Sequence, residues 1–230
     1  MGDIEKPAVT IRVAAHMKDI EADAWDALGG RDHPFVAHAF LRALEESGSA
    51  TPQTGWASQH ILVEDQAGAL IGGAPLYLKS HSQGEYIFDH GWADGFERAG
   101  GRYYPKALVA VPFTPVTGPR LLTHPEAPPE VKETVLAGLM EVTRRLEVSS
   151  LHINFPTEDE WSFCGEAGLL QRTSEQFHWF NDGYDSFDDF LAALSSRKRK
   201  AIRRERRDAL ASGELEIETV TGAAITEAHW

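Results

Sequence analysis

Apolar residues recur along this chain with two periods, and each period marks a different kind of element. Val9 to Ala15 alternates apolar and polar side chains as a strand does. Ile20, Ala24, Trp25 and Leu28 then fall at helical spacing until Gly29 and Gly30 stop them. His38 to Ser47 is a second helix, with Phe40, Leu41 and Leu44 inward. Short strands follow at His60 to Val63 and, interrupted by Gly72, Gly73 and Pro75, at Ala69 to His81. Gly84 to Gly101 reads as strand, turn and a short helical piece, and Arg102 to Leu122 as a strand (Ala107 to Val111), a proline-stiffened loop and a short strand. Val131, Val135, Leu139, Val142 and Leu146 form the inner face of a helix over Pro128 to Leu146. Leu151 to Phe155 is a strand, Glu158 to Gly168 a helix, and Ser174 to Phe180 an alternating strand.

One long helix is expected over Ser186 to Ala211. Ser186 and Asp189 make its capping box, Phe187, Phe190, Leu191 and Leu194 its apolar face, and Gly213 its end. Leu215 to Val220 then alternates as a strand and Thr221 to Trp230 begins a helix, so the opening β-α order starts again. Strands alternating with helices predict an α/β fold with a sheet of mixed direction.

Charge changes the picture at one place. Residues 197–207 hold eight cations and one acid, a local +7, against −20 over the rest of the chain and −13 for the whole. Either sign of charge would serve solubility, so this reversal points to an anionic partner, with a solvated helix face as the alternative. Lys198 lies on the apolar stripe between Leu194 and Ile202 and is expected to snorkel or to point into a cleft. The single cysteine, Cys164, leaves no internal disulfide. The amino-terminal residues lack the apolar core of a signal peptide and no stretch has the length of a membrane span, so cytoplasmic residence is expected. The histidines do not fall at ligand spacing, and no metal site is expected.

Four blocks carry a resemblance: HPFVAHAFLRALEESGSA, GAPLYLKSHSQGEYIFDHGWADGFERAGGRYYPK, VPFTPVTGPRLL and EQFHWFNDGYDSFDDFLAALSSRKRKAIRRER. With them the chain resembles the FemAB-like predicted N-acyltransferases, bacterial proteins named for peptidoglycan biosynthesis. The resemblance implies a GNAT-like mixed sheet flanked by helices, with two such domains joined by a long helix. On that reading 1–185 is the first domain, 186–213 the basic linking helix and 214–230 the start of a truncated second domain. It also implies transfer of an acyl group, in better-studied relatives an amino acid from aminoacyl-tRNA, to the amine of a cell-wall precursor. GNAT enzymes take acetyl-CoA on a Gln/Arg-x-x-Gly-x-Gly/Ala loop, and VTGPRLLTHPEAPPE lacks that glycine spacing. Acyl-CoA is therefore the lesser expectation for the donor, no tightly bound cofactor is expected, and a basic helix suits tRNA or another phosphate-rich donor or precursor.

Acyl transfer to an amine needs a base, bound substrates and donors for the oxyanion. His81, Glu85 and Asp89 are the candidate bases. Lys79, Tyr104 and Lys106 are candidates to hold the acceptor, with Trp92 and Thr117 on the surrounding walls and His152, Asn154 and His178 on nearby strands. Arg197, Lys198, Arg199, Arg203 and Arg206 are candidates for phosphate, and backbone freed at the Gly72–Pro75 irregularity for polarising the carbonyl. Two other classes stay open: a binding module for a cell-wall precursor or RNA, and a fragment whose basic helix docks a further domain.

Overall fold

A computed structural model describes residues 9–30, 32–211, 213 and 217–230. The chain divides into two compact units, 1–172 and 173–230.

The first unit is α/β, with two β-sheets flanked by helices and strands of mixed direction, as the order of elements along the sequence predicts. Strand β1 (Thr10–Ala14) leads through a 3-10 turn to α1 (Ala22–Trp25), a wide turn at Asp26–Gly30 and α2 (His38–Glu46). Strands β2 (Trp56–Ser58) and β3 (His60–Glu64) are one line of chain broken at Gln59, and β4 (Leu70–Ala74) and β5 (Leu76–Lys79) are a second line broken at Pro75. Proline has no N–H for a ladder, so the chain changes sheets there. β1, β3, β4 and β7 (Leu122–Thr123) form one four-stranded sheet; β2, β5, β6 (Lys106–Val109) and β8 (Leu151–Ile153) form the other. The Gln59 N–H donates to the Leu76 carbonyl at 2.8 Å and joins the two across the breaks. All pairs are antiparallel except β6 with β8. That parallel pair needs a crossover, which α4 (Glu130–Arg145) supplies. Helix α5 (Glu158–Glu166) starts on the capping box of Thr157 and Glu160.

The glycines of β4 serve packing. A Cβ on Gly72 would lie 2.7 Å from Val131 and 2.9 Å from Val135 of α4, and one on Gly73 would lie 2.8 Å from the Ile61 carbonyl. Gly72 and Gly73 are also paired with β3 on one side and β7 on the other. The expected oxyanion site at Gly72–Pro75 therefore has a helix seated on it and neighbours on both edges. Between β5 and β6 the chain inserts α3 (His90–Arg98), and no strand precedes it in 84–89.

The second unit holds the main departures from expectation. Residues 174–180 form no strand. The helix expected to run unbroken over 186–211 is two: α6 (Phe187–Ala193) and α7 (Ser196–Leu210). Leu194 turns extended, and the Ser195 hydroxyl starts a new helix by accepting the Lys198 N–H at 3.5 Å. Lys198 therefore does not continue the apolar stripe of α6, and it is exposed. Of the strand expected over 215–220, residues 215 and 216 lie outside the described residues and 217–220 form none. Two 3-10 turns, Gly222–Ala224 and Glu227–His229, stand where a helix was expected over 221–230. Among the described residues no helix is long and apolar enough to cross a membrane.

Candidate active site

Strand register builds the site. Lys79 at the end of β5 lies directly between Trp56 of β2 and Lys106 of β6. Both lysines are fully buried. Two cations facing each other across a ladder repel, and burial removes the water that would screen them. The α3 insertion brings in the compensating charge. Glu85 and Asp89, both buried, accept from the Lys106 ammonium, Glu85 at 2.9 Å and Asp89 more closely. The same ammonium donates to the Ser82 hydroxyl at 2.8 Å, which bonds the Tyr104 hydroxyl at 2.7 Å. Tyr103 donates to Asp89 at 2.8 Å, and His152 lies 3.5 Å from the Tyr103 hydroxyl and 2.9 Å from that of Ser150. Lys79 places its ammonium 3.5 Å from the centre of the Trp56 ring and donates to the Gln83 carbonyl at 3.2 Å. A cation over an indole face is a favourable contact when water is excluded.

The two carboxylates share one ammonium and are shifted in opposite directions. Burial pushes Glu85 above the ordinary carboxylate range, and Lys106 does not fully offset it. Burial acts on Asp89 in the same direction, but bonds from Lys106, Ser82 and Tyr103 outweigh it and hold Asp89 at about 2. Burial, reinforced by Lys106, lowers Lys79 to about 8 although Glu85 opposes the shift. Burial and Lys106 bring His152 down to about 4, so its ring is neutral at pH 7. Burial, then the Asp89 bond, raises Tyr103. Glu85 Oε1 and Asp89 Oδ1 are buried without a hydrogen-bond partner among the described residues. Neighbouring acids driven in opposite directions are the arrangement expected of an acid–base pair.

The fold thus gathers Lys79, Glu85, Asp89, Tyr104, Lys106 and His152. His81 sits in the adjoining turn, where its Nδ1 accepts the Gln83 N–H at 3.2 Å and burial lowers its pKa. Trp92 is 60% exposed on α3, outside the hydrogen-bonded cluster. Thr117 and Asn154 belong elsewhere, to a loop pinned by buried Arg120. The Arg120 guanidinium donates to the carbonyls of Asn154 at 2.8 Å and Val116 at 2.7 Å, and Glu160 accepts the Arg120 and Leu121 N–H groups. That set anchors the proline loop. Sequence reasoning left Trp56 and Ser82 out of the site. The available signal was a lysine at the end of each of two apolar strands, which demands buried partners.

A second buried network ties α2 to the sheet. Glu45 accepts from Ser58 at 2.7 Å and from the Met17 N–H at 2.8 Å, and pairs with His60 at 3.0 Å. It bridges three segments and is structural.

His178 and the cations at 197–207 lie in the second unit. Arg199 donates to the Ala192 carbonyl at 3.0 Å and so caps α6, Arg203 pairs with Asp188 at 3.0 Å, and Arg206 lies 4.4 Å from the centre of the Phe187 ring. These three hold α7 to α6. Arg197, Lys198, Lys200 and Arg204 are exposed, with no ion pair among the described residues. Arg197, Lys200 and Arg204 share one helix face by their spacing. Among the described residues no three His, Cys, Asp or Glu are grouped to hold a metal ion.

A model of the FemAB-like family, described as peptidoglycan biosynthesis/recognition, matches residues 16–230. No curated protein matches the chain. Among solved structures it is similar to an aminoglycoside N-acetyltransferase in complex with CoA, 12% identical, covering 79% of this chain and 99% of that one, with a TM-score of 0.45. It is also similar to a ribosomal-protein-alanine N-acetyltransferase from Brucella melitensis, 15% identical, covering 75% and 100%, with a TM-score of 0.45. A glucosamine-6-phosphate N-acetyltransferase from Arabidopsis thaliana is 10% identical, covering 76% and 99%, with a TM-score of 0.43.

Proposed function

The chain belongs to the FemAB-like family, and from that premise we propose that it takes part in N-acyl transfer, with the Lys79–Glu85–Asp89–Lys106 cluster as its proton-transfer site. The observation that carries the reading is Glu85: a buried carboxylate of raised pKa with one oxygen on Lys106 and the other unpartnered. Such a group holds a proton more readily than an ordinary carboxylate. Glu85 takes the proton that the attacking amine loses as its nitrogen bonds the acyl carbon, the ester or thioester bond to the carrier breaks, and the carrier leaves as its hydroxyl or thiol with that proton. Asp89 stays ionised and fixes Lys106, which orients Glu85. Ser82 and Tyr104, each half-buried, face the acceptor. In this reading the acceptor is an amine of a peptidoglycan precursor, in keeping with the family description. The donor is carried on a phosphate-rich group, tRNA before acyl-CoA, for which the unpaired cations of α7 are suited. Both carriers are intracellular, so the reading includes cytoplasmic residence, and it retains a second GNAT-like domain as the partner of this one.

Transfer from charged tRNA and from acetyl-CoA to a muropeptide amine, followed by mass spectrometry, tests the proposal. One donor should give an N-acylated product. Glu85→Gln should lower its rate by about a hundredfold or more, with a melting temperature no lower than the parent's. Reversing Arg197, Lys200 and Arg204 to Glu should raise KM for the donor and spare kcat. Loss of folding in Glu85→Gln, with no product from either donor on the parent chain, would make the cluster a structural core and the chain a binding module.

A further inference from the structure

The second unit contains a cavity of about 400 Å³ with aromatic walls. Local sequence builds it. The Asn181 side chain accepts the Tyr184 N–H at 2.7 Å and donates to the Tyr184 carbonyl at 3.2 Å, which folds 181–184 into a turn and fixes Tyr184. Two residues later Ser186 caps α6 and accepts the Asp189 N–H at 3.1 Å, so Phe187 and Phe190 follow in its first turn. Phe190 is the centre of the ring cluster. Trp179 lies 6.2 Å from it at an interplanar angle of 83°, Tyr184 5.7 Å at 74°, and Phe187 5.8 Å at 41°. Two rings standing nearly upright on a third make walls and a floor. All four line the one cavity, together with Asp185 and Asn181.

Apolar walls alone would suit any greasy group. Three observations narrow the ligand to a cation. Ring faces carry negative potential, and this cluster already holds a cation, since Arg206 lies against Phe187. Asp185 is exposed at the cavity and makes no hydrogen bond or ion pair among the described residues, whereas Asp188 and Asp189 are engaged by Arg203 and Ser186. The positive end of α6, worth about half an elementary charge, is outweighed by Asp185 together with Asp189, whose one side-chain partner is the neutral Ser186 hydroxyl. We propose that this aromatic box binds an organic ammonium, held by the faces of Trp179, Tyr184 and Phe190 and by the Asp185 carboxylate. The site lies wholly within residues 173–230 and stands independently of the acyl-transfer reading.

The test is saturation-transfer NMR on the full chain with tetramethylammonium as probe and neopentyl alcohol as its neutral counterpart of similar shape. The ammonium should receive saturation and the alcohol should not. Asp185→Asn should weaken binding about threefold, an effect that fades with added salt. Trp179→Phe should weaken it about three- to tenfold and Trp179→Leu remove it, because indole is the stronger cation–π partner. The graded Phe variant keeps the wall filled, and circular dichroism confirms that each variant folds. Equal response to the alcohol would make the cavity a plain apolar cleft. Response to neither probe, or equal response from Trp179→Leu, would overturn the proposal.

Discussion

At the scale of single residues, one buried ammonium sets two carboxylates against each other. Asp89 at about 2, against an ordinary 3.8, corresponds to about 2 kcal/mol of stability. Because its folded pKa is depressed, that contribution is complete above about pH 4 and is lost as pH falls through about 2. Asp89→Asn should therefore unfold in less urea at pH 7, and its deficit should close as acid titrations approach pH 2. A deficit independent of pH would assign the loss to packing. Glu85 has the opposite sign: its raised pKa means that folding favours its protonated form, so neutralising it with Glu85→Gln removes a burden. Lys79 and Lys106 were legible as lysines at the termini of apolar strands, and Glu85 and Asp89 as acids among the aromatic residues of a glycine-rich connection. Trp56 and Ser82 were not, because their roles come from cross-strand register and from the turn that follows β5, which local spacing does not encode.

At the scale of elements, packing decides what periodicity leaves open. The α4 stripe Val131, Val135 and Leu139 was readable and is buried. The purpose of Gly72 was not: its missing side chain makes room for that stripe. Gly72→Ala should destabilise the protein by about 1–3 kcal/mol through overpacking, measured as a lower urea midpoint with an unchanged slope. A neutral effect would mean that α4 can move away without cost. Alternation over 174–180 misled because a strand needs an edge to pair with, and none of the described strands accepts it. The run LSSRK concealed a break because Ser195 competes for backbone N–H groups better than it continues a helix.

At the scale of the molecule, the mixed α/β class was legible from element order. The three apolar clusters draw all their residues from Ala14 to Leu169. A chain ended at Arg172 should then keep cooperative unfolding with a melting temperature within a few degrees of the parent. Loss of cooperativity would show that residues 173–230 are needed for the core.

The measurement that bears most directly on the central claim is the pH dependence of kcat/KM for N-acyl transfer in the parent chain and in Glu85→Gln. The account predicts an acid limb in the parent above the ordinary glutamate value of 4.5, and loss of both that limb and about a hundredfold in rate in the variant. An unchanged rate with the same limb in Glu85→Gln would contradict it.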